Sequence, residues 1–174
     1  MMHGEPGRGG LDIKPHAFDP VRNPELFDGV LARRILAFAI DVVIIFAPVA
    51  LAFVCVLLFV LVTFGLGWPL FWLLYPGTVI WILVYYGWTF GSPASATLGM
   101  RVVGLEMRTW YGAPSYFVLG AAHALVFYVT VSALTPLVLL VGLFNARKRL
   151  LHDILLGTVV INSPARAAAL RGTP

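Results

Sequence analysis

Three long apolar stretches dominate the chain, separated by short turns and one polar segment. They run from 35 to 64, from 68 to 90 and from 116 to 144. A helix of about 20 residues crosses the roughly 30 Å hydrocarbon core of a bilayer, so each stretch is long enough to enter a membrane. The second fits one crossing closely, and the other two exceed it. We therefore predict an antiparallel helical hairpin from the first two, joined by a tight turn at 65–67.

The polar flanks divide the chain into a membrane domain and two tails. Residues 1–22 are rich in glycine, proline and charge and have no periodicity, so we predict a flexible tail there and a second one over 163–174. The membrane domain occupies 23–162. It opens with Asn23 and Pro24, a cap residue and a first-turn proline, which predict a short interfacial helix over 23–33.

The polar segment and the chain end contain two strand candidates, residues 101–107 and 157–161. We expect them to pair outside the membrane. The third apolar stretch contains Pro136 and has two alternatives. If it bends there and returns, every lysine and arginine lies on one side of the bilayer, as the positive-inside rule favours. If it crosses, the two ends of the chain lie on opposite sides.

Composition identifies the class of protein. Hydrophobic residues make up 60% of the chain and charged residues 11%, with a mean hydropathy of +0.90, whereas soluble domains carry about 25% charged residues. This excludes a soluble enzyme, a disordered chain and a coiled coil. The predicted fold class is an all-α membrane protein, a polytopic helical bundle with a short interfacial N-terminal helix and a small β-hairpin-like element outside the bilayer.

Asp41 is the only formal charge between residues 35 and 100. A carboxylate inside a membrane helix costs about 2.5–3.5 kcal/mol, so Asp41 must face protein or water. Arg34 shares its helical face, about 10.5 Å away along the axis, which leaves room for a third group or a water between them. Two hypotheses stay open. Asp41 is a proton- or cation-binding carboxylate with Arg34 as counter-charge, or it is part of a structural knot that locks the fold.

The other ionisable candidates also have two interpretations each. Asp153 with His152 is either a proton-shuttling pair, or Asp153 caps a helix or bridges to an arginine such as Arg34. His123, the sole ionisable residue of the third apolar stretch, is either a proton relay or an interhelical hydrogen-bond partner.

Basic residues suggest lipid as a partner. The clusters at 33–34 and 147–149 flank the apolar stretches, so we predict that they and the N-terminus are cytoplasmic and that the clusters bind anionic lipid rather than nucleic acid. Arg101 is expected to be a loop charge, with a lipid headgroup contact as the alternative. The sequence has no nucleotide-binding glycine loop, HExxH, CxxC or nucleophile elbow, so we expect no enzyme, no cofactor and no metal site.

Three separated motifs resemble those of the RDD family of bacterial membrane proteins. Arg34 and Asp41, in RILAFAID, match the arginine and first aspartate for which the family is named, and Asp153, in LHDILLGTVV, matches the second aspartate. The stretch 95–104, SATLGMRVVG, resembles the family's glycine motif. The family often has an arginine where this chain has His123. The resemblance implies a multi-pass protein of the bacterial inner (plasma) membrane, with a suggested role in transport and no established substrate.

Two function hypotheses remain from the sequence. The first is a small transporter or transporter component that uses Asp41 with Arg34, as a homo-oligomer because three apolar regions are few for a pathway. The second is a non-catalytic accessory or scaffold subunit that packs against a larger membrane complex. Its support is that the apolar stretches carry no further carboxylate and no broken-helix pair of the kind that transporters use at the midplane.

Overall fold

The computed structural model describes residues 16–134 and 137–172, and it is mostly helical with one small sheet. The helices are α1 (Val30–Val62), α2 (Phe71–Phe90), α3 (Leu98–Val102), α4 (Phe117–Leu134), α5 (Leu137–Phe144), α6 (Leu151–Leu155) and α7 (Pro164–Arg171). The strands are β1 (Leu105–Thr109) and β2 (Thr158–Asn162), and 3-10 turns occur at Pro24–Leu26 and Trp68–Leu70. The predicted class of helical membrane protein is therefore confirmed.

The first two apolar stretches form the predicted hairpin. By length and composition, two helical segments are able to cross a membrane, Pro24–Val62 and Trp68–Phe90. The chain reverses between α1 and α2 through positive φ angles at Phe64 (54°) and Gly65 (93°). Glycine adopts such angles without the steric cost that a side chain adds.

Within the hairpin, α2 covers only part of α1. Contacts between them include the Trp81 indole, which donates to the Ile45 carbonyl at 3.3 Å, and the rings of Phe53 and Phe71, 5.6 Å apart. Along α1, no residue between Ile45 and Val60 is buried. The middle of this helix is therefore available to lipid or to another protein.

The third apolar stretch divides into α4 and α5 around residues 135–136, which lie outside the described residues. The start of α4 packs on the end of α2, where a Cβ on Gly91 would lie 2.8 Å from the Phe117 nitrogen. The end of α5 packs on the start of α1, where a Cβ on Gly142 would lie 3.0 Å from the Leu31 side chain. Both ends of the stretch thus lie at the same end of the hairpin, as the returning alternative requires.

The remaining elements, in residues 92–116 and 145–172, form a unit that we call the cap. Its strands pair antiparallel with Met107 opposite Val160, so the prediction of two pairing strands is confirmed. Successive side chains of a strand point to opposite faces. Val160 joins the main core with the hairpin residues, whereas Val159 and Ile161 pack with Phe27 in a second cluster. Because residues 98–102 form α3, the first strand begins later than the predicted 101–107.

The N-terminal flank differs from the prediction. The expected interfacial helix over 23–33 is a 3-10 turn, Pro24–Leu26, followed by the first residues of α1, because Gly29 at φ 63° interrupts the helical backbone. Of the predicted flexible tail over 1–22, residues 1–15 lie outside the described residues. The described part contacts the cap, where the Ala17 amide donates to the Trp110 carbonyl at 3.1 Å.

The predicted flexible tail over 163–174 is wrong for Pro164–Arg171, which is the helix α7. Proline is compatible with the first turn of a helix, and the alanines that follow favour helix formation. Ala167 is buried, and Arg171 lies 3.5 Å from the Glu25 carboxylate. Local helix preference and tertiary packing together therefore order this segment.

Candidate functional site

Arg34 of α1 and Asp153 of α6 form a buried ion pair that joins the hairpin to the cap. The guanidinium donates two parallel hydrogen bonds, from Nη1 to Oδ2 at 2.5 Å and from Nη2 to Oδ1 at 2.8 Å. The Asp153 side chain has no solvent exposure and that of Arg34 only 11%. Arg34 Nη1 also donates to the Lys148 carbonyl at 3.1 Å. A bidentate guanidinium–carboxylate pair of this kind fixes orientation as well as charge.

The Asp153 carboxylate also holds its own helix. Its Oδ2 accepts from the Leu150 amide at 2.9 Å and so caps the start of α6. Burial alone would raise the pKa of Asp153, but the charge and hydrogen bonds of Arg34, with smaller effects from His152 and His123, outweigh it and lower that pKa. Asp153 is therefore an anion in the folded protein. The sequence alternative in which Asp153 caps a helix and bridges to Arg34 is the arrangement that the structure contains.

Arg149 ties the loop before α6 to the second strand. Its Nε donates to the Thr158 carbonyl and its Nη2 to the Asp153 carbonyl, each at 2.8 Å. The guanidinium also lies 4.6 Å from the centre of the Trp110 ring, a cation–π contact. Burial lowers the pKa of Arg149 from its ordinary value. One residue of the predicted basic cluster is thus part of the internal structure, not of a lipid-binding surface.

Two histidines flank the ion pair. His152 Nε2 lies 3.7 Å and His123 Nε2 3.8 Å from the same oxygen of Asp153, which is longer than a hydrogen bond. Their Nδ1 atoms are buried and have no hydrogen-bond partner among the described residues. Burial lowers the pKa of His152 to about 3, so its ring is neutral at physiological pH. The two predicted secondary candidates are therefore brought together with Asp153.

The spacing of His123, His152 and Asp153 would suit a metal ion, but the charge already present at the site would not. The ligand atoms that His123, His152 and Asp153 offer all lie within 4.8 Å of one another, and all three residues are buried. However, both Asp153 oxygens already accept from Arg34, whose charge neutralises the carboxylate. A divalent cation would leave two uncompensated charges in a buried site, which is costly. The donor set therefore does not fit a resident divalent metal.

Asp41 has other partners than Arg34. Its Oδ1 accepts from the Tyr85 hydroxyl at 2.5 Å and from the Gly99 amide at 2.8 Å. Gly99 is required here, because a Cβ at that position would lie 2.2 Å from the Ala37 carbonyl oxygen. Asp41 therefore fastens α3 to α1 and α2 through neutral donors. The structure gives Arg34 a different counter-charge from the one that the transport hypothesis assigns to it.

Arg101 lies on the exposed side of α3 and is not part of this network. Its Nε donates to the Ala96 carbonyl at 3.1 Å and its Nη2 to the Ser92 hydroxyl at 2.7 Å. A salt bridge of the same polar segment joins Arg108 to Glu106, whose shortest contact is 2.9 Å.

Several residues of the site are not evident from the sequence. Nothing in the sequence indicates that the Tyr85 hydroxyl or the main-chain amide of Gly99 donates to Asp41. The hairpin gives no signal for Tyr85 either, since Asp41 lies 24 residues before the 65–67 turn and Tyr85 only 18 residues after it. Arg149 and Thr158 carry no signal of their own.

Comparison with known proteins gives one match. The family model of the RDD family matches residues 29–157, a range that contains all three signature residues, Arg34, Asp41 and Asp153. No curated protein and no solved structure matches the chain.

Proposed function

This chain belongs to the RDD family of membrane proteins, and from that premise we propose that it is a non-catalytic scaffold, an accessory subunit that packs against other membrane proteins. In this proposal the signature residues are structural, because they hold the cap rigidly at one end of the hairpin. The hairpin then presents its uncovered apolar surface to a partner within the bilayer.

The main support for the proposal is that each signature residue makes a hydrogen-bonded contact between the cap and the hairpin. Arg34 and Asp153 neutralise each other through two hydrogen bonds, and Asp41 accepts from Tyr85 and Gly99. A carboxylate that binds and releases a cargo ion must be able to exchange its partners, whereas the partners of Asp41 come from two elements, α2 and α3, that are packed against its own helix. A lock between two rigid units explains the same geometry without any movement.

The exposed surface of α1 supports a role in assembly. This helix has 33 residues, about 50 Å in length, and its only buried residues are Val30, Ala37, Asp41, Ile45 and Val60. Large apolar side chains such as Phe46, Leu51 and Phe53 are about half exposed or more. Packing of another membrane helix along this surface would bury area that the chain itself leaves open.

The charge distribution supports a cytoplasmic cap in a plasma membrane. Every lysine and arginine that the structure describes lies in the cap, in the first turns of α1 or in the segment just before it. The positive-inside rule places such an end on the cytoplasmic side. Within the 147–149 cluster, Arg149 is buried and Arg147 donates to the Phe18 carbonyl, so Lys148, which is partly exposed, is the residue most available to anionic lipid headgroups.

A second candidate, transport of a proton or cation, is favoured by a different observation. His123 and His152 are buried beside Asp153, and each has an Nδ1 atom without a partner among the described residues. His123 lies in the apolar helix α4 and the other two residues lie in the cap, and a row of titratable groups that begins in an apolar helix is of the kind that proton pathways use. In this alternative the exchangeable site would be the His123–His152–Asp153 cluster rather than Asp41.

The two candidates are distinguished by extraction and reconstitution of the full chain. The protein is extracted in mild detergent, its mass is determined on a native gel and by mass spectrometry, and ion flux is measured after reconstitution in liposomes. The scaffold proposal expects a stoichiometric complex with a larger membrane protein and no flux from the isolated chain. A small homo-oligomer that conducts protons or cations, and loses that flux in a folded His123→Phe variant, would overturn it.

A further inference from the structure

The outer side of α3 combines apolar and cationic groups in the way that a membrane interface requires. Leu98 and Val102 are four residues apart and therefore share a face of the helix. They are 40% and 73% exposed, whereas Gly99 and Met100 are buried. Arg101 lies directly before Val102 on this exposed side. A short helix with this pattern, next to the end of a membrane helix, is suited to contact both acyl chains and headgroups.

The Arg101 guanidinium is held in place but is not neutralised. Its Nε and Nη2 donate to the Ala96 carbonyl and the Ser92 hydroxyl, at 3.1 and 2.7 Å. Ser92 is itself fixed, since its hydroxyl donates to the Thr89 carbonyl. Among the described residues, no carboxylate oxygen lies within 4 Å of Arg101. A guanidinium has five N–H donors, so most of its hydrogen-bonding capacity remains for an anion.

An exposed tryptophan marks the membrane surface below this cation. Trp88 precedes Ser92 by four residues, and the chain makes a last turn past the end of α2, with the Gly91 amide bonded to the Gly87 carbonyl at 2.9 Å and the Ser92 amide to the Thr89 carbonyl at 3.3 Å. Trp88 therefore lies about one helical turn, roughly 6 Å, deeper than Ser92, and it is 74% exposed. Tryptophan is enriched at the level of lipid headgroups. Because Arg101 bonds to Ser92, its guanidinium lies about one helical turn outside the Trp88 ring. Lipid phosphates are found at that level.

We propose that Arg101 and Trp88 bind the phosphodiester of an anionic phospholipid, with Ser92 as the residue that positions the guanidinium. Planar guanidinium groups bind two phosphate oxygens at once, and the Trp88 indole contacts the glycerol region and upper acyl chain. An anionic headgroup is favoured over a zwitterionic one, because the zwitterionic lipid carries its own cation and because Arg101 has no acidic partner among the described residues. This site is separate from the basic clusters that the sequence indicated and does not depend on the scaffold proposal.

The test uses the delipidated full chain in detergent, titrated with phosphatidylglycerol or phosphatidylcholine and analysed by native mass spectrometry. Wild type is expected to bind phosphatidylglycerol more tightly than phosphatidylcholine. Arg101→Gln should weaken phosphatidylglycerol binding about fivefold, the effect of one surface cation. The matched control, Arg22→Gln, removes the same charge from an exposed position and should leave binding within about twofold.

Two further variants and a competition with inorganic phosphate also test the site. Ser92→Ala leaves the charge in place but frees the guanidinium, so it should weaken binding less than Arg101→Gln does, and Trp88→Leu should weaken binding of the same lipid. Millimolar inorganic phosphate should not displace the lipid. Equal losses in Arg101→Gln and Arg22→Gln, equal wild-type binding of the two lipids, or displacement by inorganic phosphate would each overturn the proposal.

Discussion

Arg34 and Asp153, separated by 119 residues in the chain, meet in a buried ion pair with hydrogen bonds of 2.5 and 2.8 Å. The pair connects the start of α1 with α6 and therefore connects the hairpin with the cap. Removing one member of such a pair leaves an unpaired buried charge, which usually costs about 3–5 kcal/mol, whereas the intact pair itself adds little stability. The ion pair therefore fixes the position of the cap relative to the hairpin.

Asp41 is predicted to tolerate loss of its charge but not loss of its oxygen. In Asp41→Asn the amide oxygen still accepts from Tyr85 and Gly99, so the free energy of unfolding should fall by no more than about 1.5 kcal/mol. Asp41→Ala leaves a buried hydroxyl and a buried amide without an acceptor, and should cost about 3 kcal/mol or more. Reversible unfolding in mixed detergent micelles measures both. Equal losses for the two variants would contradict the assignment of Asp41 as a hydrogen-bond acceptor.

Gly99 is predicted to be irreplaceable by alanine. The added Cβ would lie 2.2 Å from the Ala37 carbonyl oxygen and 2.9 Å from the Asp41 carboxyl carbon. The clash should push α3 away from α1 and lower the free energy of unfolding by about 2 kcal/mol or more. The matched control is Gly77→Ala in α2, where a Cβ meets nothing within 4 Å. Since alanine favours helix over glycine, that variant should be neutral or more stable; unfolding curves that do not differ between the two variants would refute this prediction.

Docking of the segment before α1 is predicted to weaken in acid. The His16 ring lies edge-on to Trp110 at 4.0 Å, and its Nδ1 accepts from the Phe18 amide at 2.8 Å. Burial, together with the charges of Arg147 and Arg149, lowers the pKa of His16 from 6.5 to about 4. The undocked segment therefore binds more protons than the docked one between these values. Docking is complete above pH 6.5 and weakens as the pH falls toward about 4.

Hydrogen exchange of the Ala17 amide, which donates to the Trp110 carbonyl, measures this docking. After correction for the intrinsic rate, protection should fall by up to about tenfold per pH unit below about 6.5. His16→Gln, which does not titrate, should show a flat profile over the same range. A wild-type profile as flat as that of His16→Gln would contradict the prediction.

The sequence predicts the hairpin and the paired strands because both depend on local patterns. Apolar length determines which segments can enter a membrane, and alternating polarity marks the strands. The predicted flexible tail over 163–174 overlooks a local signal, because Pro164 and the alanines that follow favour a helix. The burial of Ala167 adds tertiary contacts that the sequence does not show.

The sequence predicts only part of the candidate site. The family resemblance identifies Arg34, Asp41 and Asp153, but helical spacing groups the first two, which have separate partners in the structure. Arg34 finds Asp153 across 119 residues, and no spacing rule covers that distance. The convergence of His123 on the same carboxylate is likewise a consequence of how α4 packs against α6.

A double-mutant cycle measures whether Arg34 and Asp153 lock the cap to the hairpin. The free energy of unfolding is measured for wild type, Arg34→Met, Asp153→Asn and the double variant; asparagine retains an acceptor for the Leu150 amide. The exposed pair Arg22 and Asp19, 3.6 Å apart, serves as control and should give a coupling below about 1 kcal/mol.

We predict that each single variant at the buried pair loses about 3 kcal/mol or more and that the double variant loses markedly less than the sum, with a coupling energy of at least about 2 kcal/mol. Additive losses, with a coupling no larger than that of the control pair, would contradict the account, because Arg34 and Asp153 would then not hold the cap and the hairpin together.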